Sequence, residues 1–214
     1  MKGNVYFYQG VKKLGNSVGY TVKGKQLFRA YKEKIANPKT AAQTLQRAKF
    51  ALLVERAQAF RNVVRLGFEY MSNVRKSTAF NAFFHANFPK VVGSTPENVN
   101  LQPEDMVIAQ GPLTNVIFND TIDAASAPGV VTVKVDDASI YDPSESDTLV
   151  YAVAYNEELN RGIMSAGAQR VVGDIDIHVP MGWVGLEVHV YGFTASADGK
   201  QASDSVYIGH TTVS

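Results

Sequence analysis

The spacing of apolar residues changes partway along this chain. Before about residue 90, apolar residues recur every three or four positions, and after about residue 106 they alternate with polar residues in short runs. The first spacing is typical of an amphipathic helix, and the second of a strand with one buried face. The pattern therefore predicts an α+β protein, with an N-terminal hairpin and helices followed by an all-β sandwich.

A hairpin is predicted in front of the helices. The segment SVGYTVKGKQLFRAY, residues 17–31, consists of two β-prone runs around Lys23, Gly24 and Lys25. Gly24 can adopt a positive φ, which a tight turn between two strands requires.

A long helix is predicted to begin at Thr40, within NPKTAAQTLQRAKF at residues 37–50. Proline at 38 disfavours helical backbone at Asn37. Thr40 and Gln43 have capping-box spacing, in which each side chain bonds to the other residue's backbone N–H. The expected inner face of this helix consists of Leu45, Ala48, Leu52, Ala59 and Val63. The pattern leaves open whether the helix breaks near Phe60.

A further helix is predicted from about Ser77. Its four phenylalanines, Phe80, Phe83, Phe84 and Phe88, recur at helical spacing. Such a stripe usually packs into a core, and we expect it to do so here.

Residues 91–105 have the composition of a linker. Phe88 and Pro89 end the helical pattern, and the segment VVGSTPENVNLQPED then contains one glycine and two prolines. Three parts are therefore predicted: a basic arm, hairpin and helical domain at 1–90, a linker at 91–105, and an acidic sandwich at 106–214.

About seven antiparallel strands are expected in the C-terminal part. Ile175, Ile177 and Val179 alternate with polar residues, and so do Leu186, Val188 and Val190. One face of these strands should therefore be buried and the other solvated. From Gly111 onward, the order of runs resembles a fibronectin type III or immunoglobulin-like β-sandwich.

Charge is divided between the two halves. Residues 1–90 contain 17 Lys and Arg against three Glu, whereas residues 91–214 contain four against 17 Asp and Glu, although the formal net charge of the chain is only +1. This division predicts two surfaces of opposite sign, and a basic half that contacts something acidic.

Candidate chemistry is sparse. There is no cysteine, no nucleophile elbow, no H-E-x-x-H and no phosphate-binding glycine loop. His178, His189 and His210 fall in predicted strands and could approach one another, but their spacing selects no metal. We therefore expect no enzyme activity, no cofactor, no metal and no small-molecule substrate. No apolar run is long enough for a signal peptide or a membrane span.

The candidate interface residues are the lysines and arginines of the basic half. In its first part they are interleaved with Tyr20, Phe28 and Tyr31, which suits either a protein interface or phosphate contacts with base stacking. The full set is Lys12, Lys13, Lys23, Lys25, Arg29, Lys32, Lys34, Arg47, Lys49, Arg56, Arg61 and Arg65.

Two motifs resemble an uncharacterised family of Bacteroides-type bacteria and their phages and prophages. They are a V-G-Y-x-x-K-G-K hairpin and an N-P-x-T-x-x-Q-x-x-Q-R-x-x-F helix start. Here these are Val18, Gly19, Tyr20, Lys23, Gly24 and Lys25, followed by Asn37, Pro38, Thr40, Gln43, Gln46, Arg47 and Phe50. Phe68 and KSTAF at 76–80 add to the likeness, which spans residues 10–90.

The resemblance implies a virion component rather than an activity, because related helix starts look like ones in phage structural genes. The first hypothesis is a capsid- or tail-associated assembly protein that contacts copies of itself and other virion proteins, located in the virion and assembled in the host cytoplasm. The alternative is a cytoplasmic nucleic-acid-binding accessory protein that uses the basic half. A surface-binding adhesin is a third reading, and it rests on the sandwich alone.

Overall fold

A computed structural model describes residues 13–14, 16–22, 25–32, 39–124, 127–139, 145 and 147–214. The chain forms two compact units, Met1–Thr40 and Ala41–Ser214. The predicted α+β class is confirmed, with an N-terminal hairpin and helices followed by a sandwich-like arrangement of antiparallel sheets.

The first unit contains a three-stranded antiparallel sheet with strands in the order β1-β2-β3. The strands are β1 (Lys13–Leu14), β2 (Ser17–Val22) and β3 (Lys25–Ala30). Val22 pairs with Lys25, so the predicted hairpin is confirmed. Its turn residues, 23 and 24, lie outside the described residues.

The second unit begins with four described helices. They are α1 (Ala41–Ala59), α2 (Arg61–Gly67), α3 (Glu69–Arg75) and α4 (Ala79–Asn87). The start of α1 directly after Thr40 agrees with the prediction. The Thr78 hydroxyl caps α4 by accepting the Asn81 backbone N–H at 3.2 Å. None of the described helices has the length and apolar character needed to cross a membrane.

The helical run bends at Phe60 and Phe68, whose φ angles are −101° and −115°. Hydrogen bonding continues through the first bend, because the Phe60 N–H donates to the Arg56 carbonyl at 3.1 Å and the Val64 N–H donates to the Phe60 carbonyl at 2.7 Å. Both rings are buried. The bends therefore let one helical path follow the surface of the core.

Two antiparallel sheets follow the helices. The central sheet has the strand order β11-β10-β6-β7, with β8 also paired to β6, and the outer sheet has the order β4-β5-β9. Their bounds are β4 (Ile117–Asp123), β5 (Val130–Asp137), β6 (Thr148–Asn156), β7 (Arg161–Met164), β8 (Ala168–Gln169), β9 (Gly173–His178), β10 (Glu187–Ser196) and β11 (Val206–Thr212).

The second unit has three layers: helices, central sheet and outer sheet. One core lies between the helices and the central sheet, where the Phe60 ring packs on Tyr155 with centroids 4.7 Å apart and meets Tyr191 edge-on at 6.0 Å. The other core lies between the two sheets and includes Val133 and Ile177. Phe83 of the predicted phenylalanine stripe is fully buried in the first core, and Phe80, Phe84 and Phe88 pack against its edge.

The helices change the expected burial of the central sheet. On β9, Ile175 and Ile177 are buried while Asp174, Asp176 and His178 are exposed, as predicted. On β10, by contrast, Tyr191 and Phe193 are buried on the face opposite Val190, because the helical layer covers that face. The alternation predicted for residues 186–190 therefore does not continue into the second half of β10.

The segment at 91–105 lies inside the second unit. Val91 and Leu101 are buried, and Val92 forms a β-bridge with Asn100. The Tyr191 hydroxyl donates to the Pro103 carbonyl at 2.8 Å. The segment predicted as a linker thus packs along the helical layer, and the boundary between compact units falls at Thr40 instead.

Candidate protein interface

The sheet of the first unit presents a basic and aromatic face. Lys25, Leu27 and Arg29 occupy alternate positions of β3 and so share one face, and the register places Tyr20 beside Leu27. All four side chains are exposed. Lys32 follows β3 and is also exposed, and Lys13 lies in β1. The predicted interface residues Lys12, Lys23 and Lys34 lie outside the described residues.

The helical layer is basic as well. Residues 41–90 contain eight Lys and Arg against two Glu. The predicted residues Arg47, Arg61 and Arg65 are exposed. Lys49 is half-buried, and its Nζ donates to the Val91 carbonyl at 3.2 Å, so it ties α1 to the following segment. Sequence reasoning left out three exposed basic residues of this layer, Arg75, Lys76 and Lys90.

Arg56, which was predicted as an interface residue, is internal. Its side chain is 10% exposed. Its guanidinium forms an ion pair with Glu157 at 2.5 Å and donates to Asn160 Oδ1 at 3.2 Å and to the Tyr155 hydroxyl. The ion pair joins α1 to the turn between β6 and β7, so Arg56 is not available to a partner.

Tyr155 is the aromatic member of this cluster. Burial raises the pKa of Tyr155 to about 12, against the opposing effect of the Arg56 charge. The phenol therefore stays protonated near neutral pH, and it donates to Asn160 Oδ1 at 3.1 Å. The cluster is a network of hydrogen bonds with all its described members engaged, which suits a structural junction.

The outer sheet is acidic on its solvent face. Asp136 on β5 and Asp174 and Asp176 on β9 are exposed there, and Lys134 lies opposite Asp174 in the register. Asp176 accepts a hydrogen bond from Thr132 Oγ1 at 2.7 Å. The second unit therefore has a basic layer on one side and an acidic sheet on the other, with the central sheet between them.

Two of the strand histidines do come together. His189 and His210 are directly paired across β10 and β11, with ring centroids 6.1 Å apart, whereas His178 lies on the outer sheet. His189 Nδ1 is 3.1 Å from the Tyr207 hydroxyl, and burial lowers the pKa of His189. Within the described residues, no three His, Asp or Glu side chains are placed to hold a metal ion.

A cleft of about 600 Å³ lies between the α1–α2 bend and β7. Its lining includes Arg61 and Arg161 and contains no carboxylate. Sequence reasoning missed this cleft because its two walls lie far apart in the chain, and no local motif marks either of them. The complete lining is Gln58, Ala59, Phe60, Arg61, Asn62, Val63, Leu159, Asn160, Arg161, Gly162, Ile163 and Met164.

Comparison with known proteins finds a relationship at the level of the family. Searches of curated proteins and of solved structures return no match to this chain. A model of a family of unknown function, DUF6266, matches residues 8–209, which span both compact units. The chain with the basic helical layer and the acidic outer sheet is therefore a member of the DUF6266 family.

Proposed function

We propose that this protein is a non-enzymatic structural or assembly protein of a phage or phage-like particle. The observation that carries the proposal is the placement of opposite charges on opposite layers of the second unit. Arg65 and Arg75 are exposed on the helical layer, whereas Asp136 and Asp176 are exposed on the outer sheet. The basic layer of one copy can therefore face the acidic sheet of the next.

Contacts of this kind are heterologous, because two different surfaces meet. Repeated heterologous contacts generate rings or open polymers, which are the assemblies that capsids and tails require. Attraction between exposed charges is screened by salt, with a Debye length of about 10 Å at 0.1 M. The proposed assembly therefore forms at low ionic strength and weakens as salt is added.

The resemblance of residues 10–90 to a phage and prophage family supports the placement in a virion, with assembly in the host cytoplasm. The sandwich-like fold supports it by analogy, since sandwich domains commonly decorate viral particles. The partners on this proposal are copies of the same chain and other virion proteins.

The test is sedimentation velocity of the purified chain over a range of protein and salt concentrations. We expect the weight-average mass to rise with protein concentration at 20 mM NaCl and to fall towards the monomer at 500 mM. Reversing charge on the helical layer with Arg65→Glu and Arg75→Glu should abolish association. Reversing the outer sheet with Asp136→Lys and Asp176→Lys should do the same.

An equimolar mixture of the two reversed variants supplies the matched control. The unaltered helical layer of one variant can then contact the unaltered outer sheet of the other, so association should return in the mixture. A chain that stays monomeric at millimolar concentration and low salt, and that mass spectrometry does not find in purified particles, would contradict the proposal.

A second candidate function is nucleic-acid binding by the sheet of the first unit. The observation that favours it is the shared face of Tyr20, Lys25, Leu27 and Arg29, because aromatic and basic side chains together suit stacked bases and phosphates. If the sheet contacts about six phosphates, its affinity for nucleic acid should fall roughly a thousandfold as the salt concentration rises from 50 to 200 mM. Filter binding of labelled single-stranded DNA and RNA over that range tests it, and no salt-sensitive retention would eliminate it.

A further inference from the structure

The open edge of the central sheet carries unused hydrogen-bonding groups. β7 is the last strand in the sheet order and pairs with β6 on one side. The Ser165 N–H donates to the Ala152 carbonyl at 2.8 Å, so odd-numbered residues of this strand point their backbone groups at β6. The backbone groups of Gly162 and Met164 consequently point outward. Among the described residues they have no hydrogen-bond partner.

The α1–α2 bend lies near this edge, and together they line the cleft described above. The helical layer comes close to β7 at Gly162, because a Cβ there would lie 3.0 Å from Phe60 Cδ1 and 3.2 Å from the Ala59 carbonyl oxygen. The edge and the α1–α2 bend are therefore held as the two sides of one groove. The arrangement matches the way extended peptides bind proteins, in which a peptide pairs with an exposed strand while its side chains contact a flanking wall.

The groove has a definite charge. Arg61 from the helix wall and Arg161 from β7 are both exposed, and the other polar lining residues, Gln58, Asn62 and Asn160, are neutral amides. Apolar contact comes from Leu159, which is 51% exposed, and from the half-buried Ile163 and Met164. Side chains of a strand alternate between its faces, so Met164 lies on the side of the helical layer with Arg61, and Arg161 lies on the other side with Ile163. The occupant that fits is therefore negatively charged on both of its faces, with apolar groups between its charges.

We propose that this groove binds an extended acidic segment of another protein, which adds to the central sheet as a further strand beside β7. Backbone hydrogen bonds to Gly162 and Met164 hold the segment, and Arg61 and Arg161 select carboxylates over amines. Charge complementarity and the unpaired backbone groups both point to this occupant.

Two other occupants fit less well. A second copy that paired its own β7 across a two-fold axis, with Gly162 beside Met164, would supply no carboxylate, because β7 contains only Arg, Gly, Ile and Met. Arg61 and Arg161 would then gain no partner of opposite charge. A nucleic-acid backbone offers acceptors for the Gly162 and Met164 N–H groups but no regular donors for the carbonyls, whereas a peptide supplies both. This proposal does not depend on the assembly of copies through the charged layers, and either can fail alone.

The test measures fluorescence anisotropy of a labelled acidic heptapeptide, Thr-Glu-Glu-Val-Glu-Glu-Thr, which carries glutamates on both faces of a strand, titrated with the full chain. Two companion probes have the same length. One replaces every glutamate with lysine, and the other is the acidic peptide with all of its amides N-methylated, so that neither of its edges can donate hydrogen bonds to a strand. We expect saturable binding of the acidic peptide alone, with affinity for each companion at least tenfold weaker.

Substitutions locate the binding. Arg61→Glu and Arg161→Glu should each weaken binding about fivefold, which is the size expected for an exposed ion pair that becomes a repulsive one. Arg65→Glu is the matched control, because it makes the same charge change at an exposed position of α2 outside the groove lining, and it should leave binding within about twofold. Hydrogen exchange should slow at residues 161–165 when the acidic peptide is bound.

Three results would overturn the proposal. One is equal binding of the N-methylated and unmodified acidic peptides, which would show that the peptide does not pair with β7 as an added strand. Another is an equal loss of peptide affinity in Arg65→Glu and Arg161→Glu, which would show that the basic surface attracts anions in general and not at the groove. The third is dimerisation of the chain that is lost in Met164→Pro, because that variant removes an outward N–H and so identifies β7 itself as the occupant.

Discussion

Arg56 connects two parts of the fold that lie far apart in sequence. Its guanidinium is shared by Glu157 and Asn160 in the β6–β7 turn and by the Tyr155 hydroxyl. Since the side chain is buried, its charge depends on these partners for compensation. The arginine therefore fixes where α1 lies on the central sheet.

Arg56→Ala should lower the free energy of unfolding by about 2–3 kcal/mol, because it leaves Glu157 unpaired and removes a donor from the Tyr155 hydroxyl. The measurement is urea denaturation followed by circular dichroism. Arg65→Ala, at an exposed position on α2, is the control and should change stability by less than about 0.5 kcal/mol. Equal effects of the two substitutions would show that the ion pair contributes nothing.

His189 makes stability depend on pH. In the folded chain, burial holds the pKa of His189 below 6.5, the value of an unperturbed histidine. The unfolded chain therefore binds a proton more readily. The free energy of unfolding should therefore fall as the pH drops below about 6.5, the usual pKa of histidine. It should level off once the pH is below the pKa that His189 has in the folded chain.

His189→Gln removes the titrating group and should flatten this dependence, measured as urea midpoints between pH 5 and pH 8. The control is His85→Gln, a substitution at an exposed position of α4. If His189→Gln leaves the pH dependence unchanged, another group causes it.

The sequence could identify basic residues but not their environments. Arg56 and Arg65 belong to the same run of arginines, and helical spacing alone does not separate them. The residue that forms an ion pair with the buried Arg56 is Glu157, which belongs to the acidic half. Only the tertiary packing of α1 on the central sheet distinguishes an internal arginine from an exposed one.

Among the elements, α2 ends in close contact with the segment that follows the helices. The Gln110 N–H donates to the Gly67 carbonyl at 2.9 Å, and a Cβ on Gly67 would lie 2.6 Å from Ala109 Cβ and 2.8 Å from the Ile108 carbonyl oxygen. No side chain fits at that position without movement of the backbone.

Gly67→Ala should therefore destabilise the chain by about 1–3 kcal/mol, the usual range for an overpacked core. Thermal unfolding monitored by circular dichroism at 222 nm is the measurement. Gly182→Ala is the matched control, because a Cβ at Gly182 meets nothing within 4 Å. A melting temperature for Gly67→Ala equal to that of Gly182→Ala would contradict the close packing.

Element types were largely predictable, and helix boundaries followed local chemistry. The Asn37, Pro38 and Thr40 sequence marks the start of α1, and alternation identifies β9. The bend at Phe60 was not predictable, because helical hydrogen bonds continue through it and its ring packs on Tyr155 and Tyr191, which lie far along the chain. The inner face of α1 was also only approximate, since Leu45 and Ala48 are half-buried while Leu53 and Ala57 are buried.

For the whole molecule, the helical layer and the central sheet depend on each other. Tyr155, Tyr191 and Phe193 share one core with Phe60 and Phe83. A C-terminal part without helices would expose these aromatic side chains to water. Composition suggested a linker at 91–105, but composition reports turn-forming residues and does not show whether Val91 and Leu101 are buried.

Truncation distinguishes the two divisions of the chain. The fragment 41–214 retains both cores and should unfold cooperatively at a temperature close to that of the full chain. The fragment 106–214 should aggregate or give the poorly dispersed amide spectrum of an unfolded chain. The measurements are thermal denaturation and two-dimensional NMR, and a folded, monomeric 106–214 would instead support the boundary predicted from composition.

The layered charge also determines how the protein behaves on a charged matrix. A chain with a formal net charge of +1 would ordinarily bind ion exchangers weakly. Here an anionic resin meets Arg65 and Arg75 on the helical layer, and a cationic resin meets Asp136 and Asp176 on the outer sheet. The protein should therefore be retained by both kinds of resin at pH 7 and low salt, each time held by a different side of the same molecule.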